Sequence, residues 1–150
     1  MNTKDISRAI ILGINDYFKK NNFQKAVIGL SGGLDSTVAA YLVVKALGNK
    51  NLTAVLMPEI GVTSRQNIRD AVKIAKKLKI SYDLISINKP VAFFNELNRD
   101  SGRKGNIYAI ANVKARMRMI VLYYFANLKN ALVIGTSDKS EIALGYTTKY

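Results

Sequence analysis

The segment Leu30-Ser31-Gly32-Gly33-Leu34-Asp35-Ser36-Thr37 concentrates groups that can hold phosphate. Two adjacent glycines let the backbone take positive φ and approach a ligand closely. A turn followed by a helix start presents unpaired N–H groups and the positive end of a helix dipole. Together these make an anion cradle suited to a pyrophosphate. The hydroxyls of Ser31, Ser36 and Thr37 can donate to phosphate oxygens, and Asp35 can hold Mg²⁺ beside them. This is not a Walker loop, because no Gly-Lys-Ser/Thr follows at the spacing that motif needs. On turn chemistry alone the segment is equally a plain strand-to-helix connection, with Asp35 or Ser36 as the helix cap.

Composition narrows the chemistry further. The chain has 150 residues, no cysteine and no histidine. Disulfides, cysteine-rich zinc sites, a cysteine nucleophile and an imidazole base are all excluded, a pattern that suits a reducing cytoplasm. Any metal must sit on oxygen ligands, which favours Mg²⁺ over zinc. Lys+Arg 23 against Asp+Glu 10 gives a net charge of +13, which attracts anions. The lysines are spread along the chain, so they read as a solvated surface rather than a nucleic-acid footprint. The run Ala9-Ile10-Ile11-Leu12 is broken by Gly13, Asn15 and Asp16, too soon for a secretory core. No stretch approaches the ~20 apolar residues needed to cross a bilayer. A soluble protein with no membrane partner is expected.

The elements that must position the cradle can be read from periodicity. Ile6, Ile10, Ile14 and Tyr17/Phe18 fall at helical spacing and predict a helix over 4–20. Ala26 to Leu30 is a short apolar strand, and Asp35-Ser36 open a helix running to Leu47 with Gly48 as its stop. Leu52 to Met57 is a second strand, closed by Pro58. Thr63-Ser64-Arg65-Gln66 has capping-box spacing and starts a helix with Ile68, Val72, Ala75 and Leu78 on one face. A third strand over Tyr82 to Ile87 and a short helix near 90–98 follow, then a polar, glycine-bearing loop from Arg99 to Asn106. A long helix is expected over 108–128, with Ile110, Val113, Met117, Ile120, Val121 and Tyr124 as its apolar stripe. Ala131 to Gly135 is a fourth strand, and a last helix begins near Asp138. Strands alternating with helices imply an α/β fold: a parallel sheet of four or more strands, helices on both faces, right-handed crossovers. Ligands then bind at the carboxyl ends of the strands, after Leu30, Met57, Ile87 and Gly135.

Ser-Gly-Gly-Leu-Asp-Ser resembles the SGGxDS loop of the ATP pyrophosphatase superfamily, whose fold is Rossmann-like and adenine-nucleotide α-hydrolase-like. Three further segments resemble the NAD synthetase family within it. They are Met57-Pro58 with Thr63 and Asp70-Ala71; Gly105-Asn106-Ile107 through Asn112-Val113-Lys114-Ala115-Arg116-Met117-Arg118-Met119-Ile120; and Gly135-Thr136-Ser137-Asp138-Lys139-Ser140-Glu141 leading to Gly145-Tyr146-Thr147-Thr148-Lys149-Tyr150. The resemblance runs from about Val27 to the last residue and implies ATP-dependent amidation of deamido-NAD with ammonia. Carried over by position, Ser31, Gly32, Gly33, Asp35 and Ser36 would hold the ATP phosphates, and Thr136 would contact the nucleotide. Asp35 and Glu141 would be the Mg²⁺ ligands and catalytic carboxylates. Arg116, Lys149 and Tyr150 would face deamido-NAD, with the long helix near a homodimer interface. Glutamine-dependent versions carry a separate glutaminase domain with a cysteine nucleophile, so free ammonia is the expected donor. Family domains continue into a Gly-Asp, another strand and a lysine that reaches the phosphates. Residues 1–150 therefore read as a single, incomplete synthetase domain with little turnover of its own.

Without the resemblance, Glu141 is equally a first-turn helix residue favoured by the dipole, and Arg118 equally a surface charge. The Tyr123-Tyr124-Phe125 cluster reads as core or dimer contact. The competing functions are a tRNA-modifying adenylating enzyme such as a tRNA-lysidine synthetase, a GMP synthetase, and a non-catalytic ATP-binding fragment.

Overall fold

A computed structural model describes residues 2–100, 107–145 and 147–148. The chain alternates helix and strand: α1 (Thr3–Lys20), β1 (Lys25–Gly29), α2 (Leu34–Leu47), β2 (Leu52–Leu56), α3 (Arg65–Leu78), β3 (Ser81–Leu84), α4 (Asn88–Asp100), α5 (Ile107–Lys129), β4 (Ala131–Ile134) and α6 (Lys139–Ala143). The four strands form one parallel sheet in the order β3-β2-β1-β4. The two central strands, β1 and β2, are thus flanked on both edges. Their side chains are apolar on both faces because both faces are covered.

Alternation along the strands divides the core into two layers. Ala26 and Ile28 of β1 and Leu52, Ala54 and Leu56 of β2 face a layer built with Phe18 of α1, Ala40 and Val43 of α2, and Ala71, Ala75 and Leu78 of α3. Val27 and Val55 point the other way, onto Ala126, with Val121, Leu122 and Phe125 of α5 packed around them. The sheet therefore lies between α1, α2 and α3 on one side and α5 on the other.

Several details differ from what periodicity predicts. Phe18 anchors α1, whereas Tyr17 is 61% exposed and Ile10 lies mostly outside the core. The sheet-facing stripe of α5 is Val121, Leu122, Phe125 and Ala126, and the expected Ile120 and Tyr124 face outward. Alpha5 is apolar around most of its circumference in this stretch, so spacing alone cannot identify the buried face. The third strand is four residues long and mostly exposed, as suits an edge strand, and beyond it the Ile85 and Ile87 N–H groups still donate to the Leu56 and Pro58 carbonyls. The cap of α3 is Ser64, whose side chain accepts from the Asn67 N–H at 3.1 Å. Thr63 instead accepts the Glu59 N–H at 3.0 Å, and Gln66 donates to Asp70, so the expected capping box is replaced by a single hydroxyl cap one residue later.

Candidate active site

In the loop after β1 the hydroxyls expected to meet phosphate bond first to the loop itself, and Thr37 borders neither of the two cavities that meet there. Ser31 and Ser36 are joined hydroxyl to hydroxyl at 3.0 Å, and Ser36 Oγ also accepts the Ser31 N–H and donates to the Gly33 carbonyl, both at 3.3 Å. Thr37 Oγ1 donates to the same carbonyl at 2.6 Å, while the Gly33 N–H donates to Ser31 Oγ at 3.1 Å. Ser36 is buried and acts as the hub that closes the turn. We expect Ser36→Ala to cost about 1–2 kcal/mol, the penalty for orphaning groups around a buried hydroxyl, seen as a lower urea midpoint with an unchanged m-value.

Gly32 has φ +85°, and a Cβ there would collide with the Asn67 carbonyl of α3. The loop backbone is thus laid directly on the first turns of α3. Helix α2 starts at Leu34 with Gly33 as its N-cap and no side-chain cap bond, so neither Asp35 nor Ser36 is the cap. The carboxylate of Asp35 sits in the first turn, exposed, beside the cradle.

Two cavities meet at this loop. One, about 410 Å³, is bordered by Ser31, Asp35, Ser36, Thr136, Glu141 and Thr148 among others, and it is rich in hydroxyls and carboxylates. Its neighbour, about 340 Å³, also touches Ser31, Ser36 and Thr136, but its remaining wall is largely apolar: Leu30, Val55, Met57, Pro58, Ile68 and Leu122. The structure therefore brings Ser31, Asp35, Ser36, Thr136 and Glu141 together, although Asp35 and Glu141 are far apart in sequence. A polar chamber and an apolar chamber sharing one glycine turn suit a nucleotide with its phosphates in the first and its base in the second.

Glu141 has a second task. Asp138 caps α6 by accepting the Glu141 N–H at 2.7 Å, and Glu141 Oε2 accepts the Asp138 N–H at 3.1 Å, a complete capping box. That leaves Oε1 outside the box. Among the described residues no group of three or more carboxylate, histidine or cysteine ligands converges. Two carboxylates on one hydroxyl-lined cavity nevertheless fit Mg²⁺, which takes one or two protein carboxylates and completes its shell with phosphates and water.

The other expected positions fall differently. Arg116 is exposed on α5 and borders neither cavity. Lys149, Tyr150 and the loop positions 101–106 lie outside the described residues. Thr148, just before them, donates to Asn112 of α5 at 3.1 Å and so ties the last segment to the long helix. Arg118, equally a surface charge from sequence, is half-buried in the wall of the apolar cavity and donates from Nε to the Met57 carbonyl at 3.3 Å. Burial lowers its pKa from the ordinary guanidinium value, opposed by the field of Glu59. Glu59 itself pairs with Lys114 at 2.7 Å, an ion pair largely shielded from solvent. Lys114 and Arg118, four residues apart, share one helix face, but nothing in that spacing marks the face as buried.

Fold and site together define a parallel α/β protein with an anion cradle at the carboxyl end of its first strand. A family model described as NAD synthase matches residues 6–150. The NH3-dependent NAD+ synthetase of Archaeoglobus fulgidus is 43% identical over 150 residues, covering 100% of this chain and 59% of that protein. The structure of the NH3-dependent NAD synthetase from Campylobacter jejuni, in complex with nitrate, superposes with a TM-score of 0.89 at 36% identity, over 99% of this chain and 62% of the other. The glutamine-dependent NAD+ synthetase from Acinetobacter baumannii, in complex with ADP, gives 0.92 at 30% identity, over 100% of this chain and 28% of the other. The chain belongs to the NAD synthase family. It spans a little over half the length of the Archaeoglobus relative.

Proposed function

We propose that this chain carries the nucleotide-binding half of an ATP-dependent synthetase that amidates deamido-NAD with ammonia. The observation that carries the reading is the convergence of Ser31, Asp35, Ser36, Thr136 and Glu141 on one polar cavity in a chain of this family. ATP places its adenosine in the apolar cavity and its phosphates against the Ser31–Ser36 turn. A carboxylate oxygen of the nicotinate ring attacks the α-phosphorus, the bond to the β-phosphate breaks, and pyrophosphate leaves into the cradle. Ammonia then attacks the acyl carbon and displaces AMP. Asp35 and Glu141 would hold Mg²⁺, which neutralises charge on the phosphate oxygens when bound.

Within this reading the chain's own groups position and neutralise; no histidine is needed, because adenylation asks chiefly for alignment and charge stabilisation. Helix α2 aims its N-terminus at the phosphates, and the hydroxyls of Ser31 and Thr136 border the space they enter. Arg116, Lys149 and Tyr150 are assigned to deamido-NAD, and the net charge of +13 gathers both polyanions in a salt-dependent way. Glutamine-dependent relatives share this half of the fold; free ammonia is assigned as the donor because the 43% identical Archaeoglobus relative is an NH3-dependent synthetase.

The test is calorimetric titration of deamido-NAD into the chain loaded with a non-hydrolysable Mg-ATP analogue. Binding of deamido-NAD, with no heat from XMP or bulk tRNA, is the expected result. Binding of XMP instead, or of tRNA in a salt-sensitive way, would replace this reading with another adenylating enzyme. A homodimer is part of the same proposal. Ile120, Tyr124 and Leu128 stand at i, i+4 spacing on α5, each more than half exposed, and offer an apolar face to a second copy. Ile120→Asp is expected to give monomers in sedimentation velocity under conditions where the wild type dimerises; a wild type monomeric at every concentration would remove the dimer from the account.

A further inference from the structure

Arg118 is the cation of the apolar cavity, and its bonding is incomplete. Its Nε is committed to the Met57 carbonyl at the end of β2. Among the described residues, Nη1 and Nη2 have no hydrogen-bond partner within the protein. Glu59 acts on the guanidinium electrostatically, but its carboxylate is taken by Lys114 and comes no closer than ion-pair distance to Arg118. No fully buried side-chain nitrogen among the described residues lacks a partner, so the terminal nitrogens retain access to open volume, and Arg118 borders the cavity.

A half-buried guanidinium with one neutral acceptor is under-compensated: it has lost water and gained a single weak bond. The fork geometry of its free end matches two oxygens of a phosphate or carboxylate. Arg118 lines the same small cavity as Ser31, Ser36 and Thr136, the three residues that also border the polar one. The apolar cavity takes the adenosine and the polar cavity the outer phosphates, with Ser31, Ser36 and Thr136 on the border between them. The phosphate that must sit at that border is the one attached to the ribose.

We propose that Arg118 is an α-phosphate contact of this site, pinned through Nε to the Met57 carbonyl and offering Nη1 and Nη2 to the oxygens of ATP and of the adenylate formed from it. This rests on the ATP-binding reading above. The Glu59–Lys114 pair is the positioning element: it fixes the loop after β2 to α5, and the Glu59 carboxylate adds a favourable field at the cation. During adenylation the α-phosphate remains bonded to adenosine while its bond to the β-phosphate breaks, so this contact persists through both half-reactions.

The test separates the parts of the nucleotide. ATP, AMP, adenosine and inorganic pyrophosphate are titrated calorimetrically into wild type, Arg118→Gln and Arg118→Lys, with melting midpoints recorded for each. Arg118→Gln should weaken ATP and AMP by about tenfold, the scale of one charge-assisted contact, and leave adenosine and pyrophosphate within about twofold. Arg118→Lys keeps the charge without the fork and should recover part of the loss. If adenosine weakens as much as AMP, Arg118 acts only by shaping the cavity wall, and the proposal is overturned. If AMP and ATP are unchanged, it is overturned too, with the nucleotide reading intact. A wild type that binds no ATP would instead bring down that reading first.

Discussion

Gly32→Ala should be the most damaging single-methyl change in the phosphate loop. Gly32 has φ +85°, where an L side chain costs roughly 1–2 kcal/mol. Its Cβ would also drive into the Asn67 carbonyl and crowd the Ala71 N–H, both backbone atoms of α3 that no rotamer change can move. Overpacking of that kind adds typically 1–3 kcal/mol, so a total near 3 kcal/mol is expected. For a chain of this length that is a fall of about 6–12 °C in the melting midpoint. Gly61→Ala is the matched control. It shares the positive φ, at +92°, but meets nothing within 4 Å, so only the conformational cost of about 1–2 kcal/mol applies. Equal melting points for the two variants would mean that the loop does not rest on α3 as described. Under the proposed phosphate site, the Gly32 variant should also lose nucleotide affinity, since relieving the clash moves the loop backbone assigned to the phosphates.

Asp35→Asn should separate the metal's contribution from that of the cradle. Removing one carboxylate from a two-carboxylate Mg²⁺ site is expected to weaken Mg-ATP by about a hundredfold, near 2.7 kcal/mol. The same substitution removes a negative charge facing the phosphates, so ATP in excess EDTA should bind as well as before or better. Stability should fall by less than about 1 kcal/mol, the value of one carboxylate in a first helical turn. Calorimetric titration with and without Mg²⁺ reads both signs. Parallel losses with and without Mg²⁺ would show that Asp35 supports the loop rather than the metal. Glu141→Gln is the companion variant, because glutamine can still accept the Asp138 N–H and preserve the capping box while losing the charge.

The parts of this molecule that were legible in advance are those where one physical requirement dominates. A strand, a glycine pair and a helix start admit few readings, although the hydroxyls of Ser36 and Thr37 turn onto the Gly33 carbonyl, which no spacing announced. The parallel sheet follows from the alternation of apolar runs with helical spacing, and its order places β1 in the interior, beside β4. What the sequence hid is orientation. Alpha5 is apolar nearly all round between Met117 and Phe125, so only tertiary packing decides that Val121 and Leu122 turn inward while Ile120 and Tyr124 turn out. The third strand looked longer than it is because Ile85 and Ile87 continue the apolar pattern, yet Ile87 belongs to the turn that starts α4 and is buried there.

The site shows the same division. Asp35 and Glu141 were nameable from their motifs, but Glu141 holds two roles at once, as half of a capping box and as a wall of the polar cavity. Neither reading of it excluded the other. Arg118 was the harder case: a cation inside Met117-Arg118-Met119 gives no local sign of which way it points. Its bond to a carbonyl 61 residues earlier is a purely tertiary fact.

The most direct test of the central claim is thermal unfolding of the chain with and without Mg-ATP. At about 100 times its dissociation constant a specific ligand adds ~2.7 kcal/mol, or about 5–10 °C for a chain of this size. The account predicts that shift for Mg-ATP in the wild type and its loss in Asp35→Asn. A cooperative transition whose midpoint does not move with Mg-ATP would contradict it.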